Sequence, residues 1–203
     1  MPRVDDTIVA LTPETWPLFA ALVERQGGLF SSCWCTWFHP HSDDRGVTAE
    51  GNRAFKKRMV DGGIAHAALV VRDGEALAWA EYGTPGELPT IHHHQQYAAE
   101  LAAGAPTTDW RVTCIQVDKR FRRQGLAEVA LRGALGLIAA AGGGVVEGYP
   151  HDLADKKALG KKTSSLFLYN GTRTMYERVG FAYDRPKGMG NCVMRLEVAA
   201  FGG

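Results

Sequence analysis

No stretch of this 203-residue chain approaches the about 20 consecutive apolar residues that a membrane-spanning helix needs. Charge of one sign is equally missing. Lys and Arg total 23 against 22 Asp and Glu, a formal +1, whereas a dedicated nucleic-acid binder carries a clear basic excess. Cysteine is scarce: Cys33, Cys35, Cys114 and Cys192 are too few to make a disulfide framework in a chain of this size. The N-terminal MPRVDDTIVALTPETW holds acidic residues and no apolar core, so it does not read as a secretory signal. No repeat, low-complexity linker or break in composition marks a second domain. These absences lead us to expect one domain over residues 1–203, cytoplasmic, with reduced thiols, and with neither nucleic acid nor membrane as partner.

Glycine is the one excess, 24 residues where the usual share of about 7% would give roughly 14. It marks tight turns and places where backbone approaches something closely. Residues 7–12 read as a first strand. Pro13 opens a helix whose Trp16, Phe19, Ala20 and Val23 share a face, ended by Gly27-Gly28. Thr48 suits the cap of a second helix through about Met59. Ala65–Val71 and Glu75–Tyr82 are apolar runs joined by Asp73-Gly74, a hairpin signal. Residues 83–108 form an insertion with a short helix near 94–103, where a substrate-facing loop is expected. Trp110–Val117 then reads as a strand, with Val112, Cys114 and Gln116 on one face and Thr113, Ile115 and Val117 on the other. An amphipathic helix from Leu126 to Ala141 follows, then a strand over 145–149. Beyond a basic loop (Lys156, Lys157, Lys161, Lys162) come a helix over 171–179 and strands near 181–184 and 191–198. The order predicts a mixed α/β fold.

The stretch Val117-Asp118-Lys119-Arg120-Phe121-Arg122-Arg123-Gln124-Gly125-Leu126-Ala127 lies where a strand gives way to a helix. A helix N-terminus offers unpaired N–H groups and partial positive charge to an anion such as a pyrophosphate. Gly125 leaves that backbone unshielded, and Lys119, Arg120, Arg122 and Arg123 add positive charge. Downstream stands Met175-Tyr176-Glu177-Arg178-Val179-Gly180-Phe181.

The pair of segments resembles the two signatures of the GNAT superfamily of N-acetyltransferases: Arg/Gln-x-x-Gly-x-Gly/Ala entering a helix, and Leu-Tyr-Glu-x-x-Gly-Phe. The resemblance covers residues 109–198 firmly and the earlier chain loosely. It implies a central mixed sheet of about seven strands flanked by helices and splayed between strands four and five. It also implies acetyl-CoA as cosubstrate, its pantetheine arm in the splay and its pyrophosphate on Val117, Arg122, Arg123, Gln124, Gly125, Leu126 and Ala127. Tyr176 becomes the proton donor to the departing thiolate. Many members carry proline where Lys119 stands, and Asn seven residues before the Tyr; here that position is Tyr169, with Asn170 beside it as the cofactor contact. For the amine's proton the acceptor is Glu81 or Glu147, each of which also reads as a solvated or ion-paired carboxylate.

Cys33-Trp34-Cys35-Thr36-Trp37-Phe38-His39-Pro40-His41 invites a zinc reading, but its spacing is tighter than the common ligand patterns. A packed wall of the acceptor pocket suits its aromatics better, no metal is expected, and a Cys-Trp-Cys element of this kind resembles one in a bacterial branch of GNAT proteins. His92-His93-His94 reads as an exposed loop. The expected activity is direct transfer of acetyl from acetyl-CoA to a primary amine of a small molecule. The alternatives are a peptide or protein N-acetyltransferase, and a non-catalytic protein that binds CoA or sequesters a ligand. A homodimer is left open.

Overall fold

Seven segments rich in β-branched and aromatic residues assemble into one mixed sheet. They are β1 (Thr7–Ala10), β2 (His66–Arg72), β3 (Glu75–Gly83), β4 (Trp110–Val117), β5 (Gly144–Gly148), β6 (Ala182–Lys187) and β7 (Asn191–Val198). Their order across the sheet is β1-β2-β3-β4-β5-β7-β6. Every neighbouring pair is antiparallel except β4–β5. The computed structural model describes residues 6–41, 45–153 and 168–202, and the basic loop expected at Lys156–Lys162 lies outside them. The mixed α/β architecture is the one the order of elements predicts.

Among the described residues six helices cover the two faces: α1 (Trp16–Gln26), α2 (Gly28–Cys33), α3 (Ala49–Asp61), α4 (His94–Ala102), α5 (Leu126–Ala140) and α6 (Arg173–Val179). On one face α5 lays Leu126, Ala130, Leu131, Ala134 and Ile138 against Ala78, Ala80, Val112 and Ile115. On the other, Phe19, Leu22 and Val23 of α1 pack with Trp34 against Leu69, Trp79 and Cys114. Thr48 caps α3 by accepting from the Gly51 N–H at 2.9 Å, as expected. Helix α2 was not expected. Gly27, at φ +67°, turns the chain and Gly28 starts a new helix, so the glycine pair is a corner where a stop was read.

Two irregularities in β4 shape the site. Tyr82 pairs with Val112 and Ala80 with Ile115, so β4 spends three residues where β3 spends two. This bulge moves Ile115 to the face of Val112, against the strict alternation expected, and leaves Cys114 on the α1 side. Second, β4 and β5 pair only over Trp110–Val112 and Val146–Gly148. Beyond that the strands part. The Ile115 N–H, no longer facing β5, donates to the Tyr169 carbonyl at 2.6 Å.

Candidate active site

At the end of β4 the buried Asp118 side chain accepts from the Arg120 N–H at 2.9 Å and opens a short 3₁₀ turn over Lys119–Phe121. The Arg120 guanidinium is bound to Asp118 (2.8 Å) and Glu75 (2.7 Å), so its charge holds the turn in place. Arg122, Arg123, Gln124 and Gly125 are exposed in front of α5. Gly125 takes φ +83°, a left-handed conformation, and a Cβ there would meet nothing within 4 Å. Glycine is therefore required by the backbone, and open space lies ahead of it. No side chain caps α5, which leaves the first N–H groups of a 15-residue helix available to an anion. Val117, Leu126 and Ala127 complete this cradle, Leu126 by burying itself beneath it.

Tyr176, on α6, is fully buried with its ring between two glycines. A Cβ on Gly148 would come within 2.0 Å of that ring, and one on Gly171 within 3.1 Å. Phe181 meets it edge-on at 4.8 Å. The ring is thus held at the point where β5 leaves β4. Its hydroxyl has no hydrogen-bond partner among the described residues, and burial pushes its pKa up, so it keeps its proton through the neutral range. Asn170 is buried nearby. It donates to the Tyr149 carbonyl at 3.3 Å, while its Oδ1 has no partner among the described residues.

Across the sheet from α5 lies a cavity of about 160 Å³ with almost wholly apolar walls. Cys33, Cys35 and Cys114 form its floor, and Trp37, Phe38, His92 and Tyr169 its sides. Cys35 Sγ donates to Cys114 Sγ at 2.9 Å, and burial first raises the Cys35 thiol, so these sulfurs sit as packed thiols. Cys33, Cys35, Trp37 and Phe38 of the Cys33–His41 segment line this cavity, while Trp34 is turned into the core against Trp16. His92 corrects the expectation of an exposed loop: it is partly buried, stacked on Trp37 at 4.3 Å, with Nε2 at 2.6 Å from the Tyr169 hydroxyl. Sequence reading missed it because His93 and His94 beside it are exposed, so only the long-range stacking distinguishes it.

Neither expected carboxylate lines this cavity. Glu147 is fully buried and accepts from Tyr97 (2.7 Å), Tyr149 (3.0 Å) and Arg195, which ties α4 and β7 to β5. Glu81 is 1% exposed; it meets Lys56 at 2.5 Å and the Thr113 hydroxyl at 2.7 Å, with His39 Nε2 at 3.3 Å. Burial alone would raise the Glu81 carboxyl, but Lys56 and His39 outweigh it and hold it at about 2. Both carboxylates are ion-paired, which is one of the two readings the sequence left open for them. Lys56 also donates to the Cys35 carbonyl at 3.4 Å, so the pair pins the cavity wall to the sheet. Because the folded Glu81 titrates below its usual 4.5, its contribution to stability is in place above about that pH and drains away as pH falls toward 2. Lys56→Met leaves this carboxylate buried without its cation and is expected to cost about 3–5 kcal/mol in chemical denaturation. Adding Glu81→Leu should recover much of that loss; no recovery would show that the pair is not the source.

The fold recurs in solved structures. A GNAT-family acetyltransferase from Desulfovibrio desulfuricans matches at 16% identity and TM-score 0.53, over 96% of this chain and 99% of that one. The fold is that of the GNAT acetyltransferases. PaiA N-acetyltransferase from Thermoplasma acidophilum, solved with coenzyme A, matches at 11% identity and TM-score 0.51, over 95% of this chain and 98% of that one. YncA from Salmonella typhimurium, solved with acetyl-CoA, matches at 12% identity and TM-score 0.51, over 98% and 97%. No family model and no curated protein matches the chain. Within the GNAT fold the splayed β4–β5 pair runs between the cradle at Gly125 and the cavity at Cys114, with Tyr176 beside it. Among the described residues no helix is long and apolar enough to cross a membrane.

Proposed function

We propose that the protein is a GNAT-type N-acetyltransferase that moves acetyl from acetyl-CoA to the primary amine of a small molecule with an apolar or aromatic body. The observation that carries this reading is the juxtaposition of an open anion cradle at Gly125, a parted pair of strands, and an apolar cavity at the far end of the part. Phosphates on the Gln124–Ala127 backbone, flanked by Arg122 and Arg123, and a pantetheine arm along β4 bring the thioester to Cys114 and Ile115. The amine nitrogen attacks the thioester carbon, a C–N bond forms, the C–S bond breaks, and Tyr176 gives its proton to the leaving sulfur. The Asn170 Oδ1, which has no partner among the described residues, would accept from the amides of the arm. In this reading the protein acts in the cytoplasm.

The size of the cavity selects the acceptor. An apolar void of about 150 Å³ holds one benzene ring, and this one offers about 160 Å³ with aromatic walls. A panel of primary amines, followed by release of free CoA, tests the assignment. Benzylamine and 2-phenylethylamine are expected to turn over faster than polyamines or peptide N-termini. Preference for peptides would move the protein to N-terminal acetylation, and tight acetyl-CoA binding without turnover of any amine would make it a binder.

A further inference from the structure

The proposed reaction needs a group that takes the amine's proton, and Glu81 and Glu147 are both bound elsewhere. Among the described residues that line the cavity, the side chains able to accept a proton, thiols apart, are His92 and Tyr169, already joined at 2.6 Å. We propose that Tyr169 and His92 act together as the proton acceptor, the Tyr169 oxygen taking the amine proton while its own proton passes to His92 Nε2. This rests on the reading of the site as an acetyltransferase. The nitrogen gains its bond to the acetyl carbon and loses one proton; the sulfur leaves with the C–S electron pair and is protonated by Tyr176. His92 ends as an imidazolium that returns its proton to water.

Three features hold the pair for this step. The Tyr169 backbone is anchored where the strands part, its carbonyl accepting from Ile115 next to the Cys114 floor. The His92 ring is clamped, stacked on Trp37 at 4.3 Å and 20°, with Phe38 edge-on at 6.2 Å. The His92 main chain is fixed as well, because the buried Lys187 ammonium donates to its carbonyl. Burial, followed by the charges of Lys187, His93 and His151, pushes the His92 ring down to about 4, so it is uncharged and able to accept throughout the neutral range. So weak a base matches the timing of the reaction. The amine nitrogen becomes strongly acidic only once the new C–N bond has given it a positive charge.

The test compares wild type, His92→Gln, Tyr169→Phe and the double variant with acetyl-CoA and 2-phenylethylamine. Near neutral pH each single variant is expected to lower kcat by about 10²–10⁴-fold. The double should lose no more than the worse single, because the pair acts as a unit. The loss should shrink as pH rises, because hydroxide and buffer base then take the proton from the nitrogen once the C–N bond has formed. KM for acetyl-CoA should stay put. A merely structural role predicts a loss of the same size at every pH, and that result, or kcat within about threefold of wild type, overturns the proposal. Should His92→Gln fail to fold, Tyr169→Phe, which keeps the ring, decides alone. Wild type without CoA release would instead overturn the acetyltransferase reading, and this inference with it.

Discussion

Tyr176→Phe is expected to lower kcat by about 10²–10⁴-fold, the usual worth of a general acid, while acetyl-CoA affinity changes little. The phenol is held by shape. Gly148 and Gly171 admit the ring from either side and Phe181 closes the edge, so the phenylalanine ring has the same seat. What the substitution removes is a buried hydroxyl with no partner among the described residues. A buried donor left unpaired costs about 1–3 kcal/mol, so its deletion should leave the melting temperature unchanged or raise it. That leaves the hydroxyl open to a use in the reaction proposed above. In the proposed reaction the use is the negative charge that develops on the departing sulfur. Melting temperature, acetyl-CoA affinity and kcat measured on one preparation separate the alternatives. Near-normal kcat in a folded variant would end the assignment of Tyr176 as the acid.

How much of this was legible depends on how local each cause is. The Asp73-Gly74 hairpin, the Thr48 cap, β4 from Trp110 to Val117 and α5 from Leu126 all follow from residues within a few positions of one another, and they stand where expected. The cradle was legible for the same reason: its glycine, its arginines and its helix are contiguous. The cavity was legible only in its wall. Trp37 and Phe38 announce an apolar surface, but that His92 stacks on Trp37 depends on an insertion folding back over some 55 positions of chain. The carboxylates were open to two readings, proton acceptor or ion pair, for a related reason. Glu81 and Glu147 sit on the expected strands, and nothing adjacent in sequence tells that Lys56 reaches one and Arg195 the other. The bulge in β4 had no sequence signal either. It shows only in the pairing with β3, where it turns Ile115 to the face of Val112 and leaves Cys114 on the cavity side.

Gly125→Val should abolish acetyl-CoA binding in a protein that still folds. At φ +83° a β-branched residue is strained, by roughly 1–2 kcal/mol, because its Cβ crowds the following carbonyl. That strain falls on an exposed turn ahead of α5, away from both cores, so the unliganded protein should lose only a few degrees of melting temperature. The larger effect is on the ligand. The glycine has nothing within 4 Å of its missing Cβ, so the valine methyls would project into the space where a pyrophosphate meets the first amides of the helix. Ligand at a hundred times Kd stabilises the folded state by about 2.7 kcal/mol. For a domain of this size each kcal/mol raises the melting temperature by roughly 2–4 °C, so wild type should gain about 5–11 °C from acetyl-CoA. The valine variant should gain nothing at the same concentration. Gly125→Ala separates the two causes, since it brings strain but little bulk: it should keep part of the shift while losing a comparable amount of intrinsic stability. An undiminished shift in Gly125→Val would take the phosphate site away from this turn, and with it the cofactor's route along β4.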